Sequence, residues 1–83
     1  MEKDDRSLYE LGYVETHHIG EESAYVYRMK DERGIRGIAV DKETLFSVGF
    51  EEYEDGRQMD MYGFTRDELL AVGELVRSVR KGV

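Results

Sequence analysis

The 83-residue sequence predicts an α+β domain. We expect a small antiparallel sheet of about four to five strands in hairpins, with one C-terminal α-helix packed on one face. Three observations predict it. Residues 63–81, GFTRDELLAVGELVRSVRK, carry the caps and periodicity of a helix; several upstream runs alternate or are rich in β-branched and aromatic residues; and short polar turns separate those runs. Strands joined by short turns pair antiparallel, and such a sheet can be wet on one face while a helix covers the other.

Taken in order, residues 1–6 are polar and expected to fray. Ser7 and Glu10 have capping-box spacing, so residues 8–11 are compatible with one helical turn ended by Gly12, or with a strand. Residues 13–19, YVETHHI, read as the first clear strand and residues 23–30, SAYVYRMK, as the second. In the second, Tyr25, Tyr27 and Met29 alternate with Ala24 and Val26, so both of its faces are apolar and one is expected to meet a partner. The loop Asp31-Glu-Arg-Gly34 returns the chain into a third strand, residues 35–41. Phe46, Val48 and Phe50 alternate with Ser47, Gly49 and Glu51, the signature of a strand with one buried face. Glu54, Asp55 and Gly56 form a turn, after which Arg57 to Tyr62 completes a second hairpin with Met59 and Met61 inward.

In the C-terminal helix, spanning residues 65–81, Thr65 and Glu68 form a reciprocal capping box, and Phe64 and Leu69 stand where a hydrophobic staple would. Arg77, Arg80 and Lys81 complement the negative end of the helix dipole, and Gly82 suits its C-terminal cap. The expected apolar stripe is Leu69, Val72, Leu75, Val76 and Val79, with Leu70 on the surface. Together with these strands it predicts a core of Ile38, Val40, Phe46, Val48, Phe50, Met59, Met61, Leu69, Val72, Val76 and Val79.

The composition excludes several classes of function. A chain of this length is one domain, residues 1–83, with a modest core. It has no cysteine, hence no disulfide, thiolate nucleophile or thiolate metal site, and a reducing compartment such as the cytoplasm suits it. The N-terminus lacks the apolar core of a signal peptide and no run is long enough to span a membrane, so a soluble protein is expected. Nineteen acidic against twelve basic residues give a net charge of −7 with no acidic tail. That field disfavours non-specific contact with nucleic acid or anionic membrane and favours a basic protein partner.

No motif announces catalysis. His17 and His18 are adjacent, and on a strand they would point to opposite faces, so a metal site is not expected. Gly34 and Gly37 precede a strand rather than a helix N-terminus, which excludes a phosphate-cradling loop. No serine sits in a nucleophile elbow. No catalytic residue, metal or cofactor is therefore assigned, and the protein reads as a non-enzymatic one.

Two surface constellations remain. The acidic one, Glu51, Glu52, Glu54 and Asp55 with Tyr53 as an aromatic anchor, would meet an Arg- or Lys-rich protein, in the extreme form by imitating nucleic-acid phosphates. Small cysteine-free acidic domains of this kind occur among phage-encoded inhibitors of host systems, although no motif ties this chain to one. The basic one, Tyr25, Tyr27, Arg28, Lys30, Arg33 and Arg36, combines cations with aromatic rings in the way single-stranded nucleic acids are held, and would act in a dimer. From Leu45 to Val79 the order strand, EYEDG turn, strand and GFTRDELLAVGELV resembles the transcriptional-coactivator family of single-stranded-DNA-binding proteins. The resemblance implies a curved sheet and a C-terminal helix that mediates dimerisation; no basic, aromatic DNA-contacting motif of that family is matched. The first reading, an acidic inhibitor or adaptor, is the one the charge favours.

Overall fold

The computed structural model describes residues 3–53 and 60–81. Within them the chain forms α1 (Arg6–Glu10), β1 (Val14–Thr16), β2 (Ala24–Lys30), β3 (Gly34–Asp41), β4 (Ser47–Tyr53), β5 (Asp60–Tyr62) and α2 (Arg66–Lys81). The five described strands make one antiparallel sheet in the order β1-β2-β3-β4-β5. The α+β architecture expected from the sequence is the one the structure has. Glu54, Asp55, Gly56, Met59, Gly82 and the side chain of Met61 lie outside the described residues.

α2 begins as its sequence dictates. The Thr65 amide donates to Glu68 Oε1 at 2.9 Å and the Glu68 amide to Thr65 Oγ1 at 3.2 Å, completing the capping box. Its buried face is Glu68, Ala71, Val72, Leu75 and Val79, with Val76 partly covered. Leu69, expected in the core, is 60% exposed. The stripe is centred on Glu68, whose carboxylate is needed beneath the helix, and at about 100° per residue Leu69 is then turned to the flank.

The N-terminal segment corrects two expectations. It is tied down from Lys3 onward: Lys3 pairs with Glu15 at 3.1 Å, and the Asp4 amide donates to Ser78 Oγ at 2.8 Å. The first turn is helical, but Asp5 rather than Ser7 stands at its N-cap, and the Ser7 hydroxyl donates to the Glu74 carboxylate on α2. α1 thus docks along α2 and places Leu8, fully buried, in the core.

The strand register sorts the sheet's side chains. Tyr27 lies opposite Ile38, which lies opposite Gly49; Tyr25 lies opposite Val40, which lies opposite Ser47. This is the helix-covered face, where Leu8, Tyr13, Tyr27, Ile38, Val40, Ala71, Val72, Leu75 and Val79 form the core. The buried Tyr27 hydroxyl donates to Asp5 Oδ2 at 2.8 Å, and its ring meets Tyr9 edge-to-face at 6.4 Å. Burial, with Asp5 adding to it, pushes that hydroxyl far above its ordinary pKa.

Val26, Ala39 and Val48 face the other way, as do Arg28, Gly37 and Phe50. Phe46, Val48 and Phe50 therefore do not join the core beneath the helix. Phe46 is 70% exposed, Val48 half-buried, and Phe50 buried on the uncovered face. Period-two alternation established that the three share a face; the small residues Ser47 and Gly49 took the helix side because Tyr27, Ile38 and Val40 already fill the layer there.

Two glycines are required by close approach. Gly34, at φ 154°, has no room for a side chain, since a Cβ would lie 2.3 Å from the Glu52 carbonyl oxygen. A Cβ on Gly37 would sit 2.0 Å from Cζ of Phe50, whose ring lies across that glycine.

Three stability measurements test this account. Gly37→Ala is expected to destabilise by about 1–3 kcal/mol in urea unfolding, because the ring must move. Glu68→Ala is expected to cost roughly 2–3 kcal/mol, combining the lost cap with lost buried hydrogen bonds. Leu69→Ala should lie within about 0.5 kcal/mol of the parent, as an exposed residue does.

Candidate partner-binding face

Of the acidic residues singled out in the sequence, Glu51 and Glu52 fall at one end of the sheet but not on one side of it. Glu51 stands opposite Arg36 and Glu52 opposite Ile35 in the register, so the two carboxylates project from opposite faces. Tyr53 is half-buried and its hydroxyl donates to Glu51 Oε2 at 3.4 Å. Glu54 and Asp55 are outside the described residues.

The basic residues are not brought together. Tyr27 is fully buried under the helices, and Tyr25 is held between Lys3 and Lys42, whose ammonium groups each lie 5.3 Å from its ring centre. Arg36 pairs with Glu68 at 3.2 Å on the helix side, whereas Arg28 is buried on the other face. Lys30 and Arg33 are the two of the six that are exposed.

Arg28 organises the uncovered face. Its Nη1 and Nη2 donate to the two oxygens of Glu21 at 2.9 and 2.5 Å, its Nε donates to Glu52 at 2.8 Å, and Nη1 also donates to Thr16 at 2.6 Å. The guanidinium carbon is 5.4 Å from the centre of the Phe50 ring. The hydrogen bonds to Glu21 first, with the one to Glu52, hold its pKa above the ordinary value. Sequence reasoning placed Arg28 with its basic neighbours and missed this cluster. The available signal was the position of Arg28 in an apolar strand, where an unpaired cation is too costly to bury.

Beside the cluster is a groove of about 300 Å³, walled by Ala24, Val26, Ala39, Val48 and Phe50 and closed at one end by Glu21 and Arg28. Its lining is almost wholly apolar. A larger hollow of about 640 Å³ runs beside α1 among Asp4, Arg6, Ser7, Tyr9, Glu10 and Glu74. Its lining is mixed, and its polar groups bond one another, Arg6 with Asp4 and Ser7 with Glu74. The smaller groove is the more apolar of the two.

His17 and His18 lie past the end of β1, in the loop, rather than on a strand as expected; both are exposed, and His18 Nδ1 is 3.9 Å from Glu21 Oε1. Among the described residues no three His, Asp or Glu side chains are grouped to hold a metal ion, and no helix is long and apolar enough to cross a membrane. No known protein family, curated protein or solved structure matches the chain. The likeness to the transcriptional coactivators rests on element order alone.

The Arg28 hydrogen bonds hold the Glu21 carboxyl below its ordinary 4.5. Its charged form is favoured in the folded state, so Glu21 stabilises the fold above that value and the contribution disappears as pH falls through the lower, folded one. Chemical unfolding followed from neutral pH downward should show stability falling below about pH 4.5. In Glu21→Gln the fall should be shallower but not absent, because Asp41, held low by the Thr44 and Glu43 amides, and Asp4, held low by Arg6, share the same sign.

Proposed function

We propose that this is a non-enzymatic cytoplasmic interaction protein that binds a basic protein partner and acts as an inhibitor or adaptor. The observation that carries the reading is the one-sided cover of the sheet. Among the described residues α1 and α2 cover one face, while the other keeps an apolar groove ended by Glu21 and Arg28, with Glu52 paired to that Arg28. An apolar surface with an acidic rim, in a chain of net charge −7, is complementary to a patch of aliphatic and basic side chains. Glu51, Glu52, Glu54 and Asp55 supply long-range attraction, with Tyr53 as the aromatic contact.

The test is affinity capture from cell lysate at low and physiological salt, with and without nuclease. A basic protein retained after nuclease treatment is the expected result. With Glu51, Glu52, Glu54 and Asp55 all replaced by Ser, its association should slow by about tenfold at low salt and less at high salt. Undiminished capture by that variant would remove these four acids from the mechanism. Capture only in the untreated lysate would transfer the assignment to nucleic acid and to the exposed Lys30 and Arg33.

A further inference from the structure

We infer that the groove on the uncovered face takes one aliphatic side chain of the partner, and that a Lys or Arg beside it in the partner's sequence seats against Glu21 and Glu52. The inference rests on the reading of a basic protein partner and specifies what part of that partner is gripped.

Size argues for a side chain. At about 300 Å³ the groove is at the lower limit of small-molecule sites, and its walls, Val26, Ala39, Val48 and Phe50, are apolar, with Ser23, Glu21 and the already paired Arg28 the polar side chains that line it. What such walls reward is the removal of apolar surface from water.

Charge selects the neighbour. Two carboxylates share one guanidinium, leaving the cluster with an excess negative charge. The side chains are 7% exposed for Arg28, 28% for Glu21 and 36% for Glu52, so the cation is the inner member and the carboxylates are the outer ones. An approaching group meets the carboxylate edges first. A Lys or Arg is attracted there, an Asp or Glu repelled, and the aliphatic residue next to it is within reach of the groove. A second copy of this chain suits the site poorly, since it would bring two acidic rims together.

An amide NMR titration of the intact protein tests this with three blocked peptides: Gly-Lys-Leu-Lys-Gly, Gly-Lys-Gly-Lys-Gly and Gly-Glu-Leu-Glu-Gly. The Lys-Leu-Lys peptide should bind about tenfold more tightly than either control, the worth of burying one aliphatic side chain, and should shift the amides of Val26, Ala39 and Val48. Ala39→Phe, which fills the groove, should abolish that advantage while leaving the Lys-Gly-Lys affinity unchanged, with thermal unfolding showing that the variant is folded. Val48→Lys should also remove that advantage and, by placing a cation beside Glu21 and Glu52, weaken both Lys peptides. Equal binding of the two Lys peptides, with shifts confined to residues 51–53, would overturn the groove and leave the basic-partner reading standing. Binding of neither Lys peptide at low salt would overturn both. Equal binding of the Glu-Leu-Glu peptide, or concentration-dependent broadening at the groove without any peptide, would overturn the assigned chemistry in favour of unselective apolar contact or self-association.

Discussion

The carboxylate of Glu68 is the joint on which the packed layer depends. It accepts from the Thr65 amide and so starts α2; it accepts from the Tyr13 hydroxyl at 2.7 Å, which ties in the segment after α1; and it pairs with Arg36 of β3. A helix start, an N-terminal connection and the centre of the sheet therefore converge on one buried anion, only 5% exposed. Burying such a charge is unfavourable unless its oxygens are satisfied, and here both are. The same arrangement fixes the rotation of α2, since Glu68 must face inward and Ala71, Val72, Leu75 and Val79 follow it at helical spacing.

Much of the fold was legible because its signals are local. The Thr65 and Glu68 pair, the DERG turn and the alternation in β2 and β4 each declare themselves within a few residues. Which side of the sheet the helix would choose is a non-local matter. Phe46, Val48 and Phe50 are more apolar than Ser47 and Gly49, yet the helix lies on the side of the small residues, because Tyr27, Ile38 and Val40 are there. Leu8 and Tyr13 were overlooked as core residues for the same reason: they sit in a short polar stretch whose value comes only from α2, about sixty positions away in sequence.

The candidate site divides similarly. That β2 is apolar on both faces was visible, and with it the expectation of an uncovered apolar surface. The role of Arg28 was not, since its partners Glu21, Thr16 and Glu52 come from a loop and two other strands, and only pairing in space joins them. The structure thus disperses the basic residues that were adjacent in sequence and gathers acidic ones that were not. Sequence proximity on a strand is a poor guide to shared surface, because neighbours point to opposite faces.

The placement of α2 after every strand has a consequence for how the protein is made. On the ribosome, β1 to β5 leave the exit tunnel before the element that covers Tyr27, Ile38 and Val40, and the contact of α1 with Glu74 cannot form until α2 arrives. Nascent chains therefore carry these apolar strand residues uncovered until α2 has followed β5 out of the tunnel. Until then the acidic charge keeps such chains apart, and so serves the protein before it has a structure.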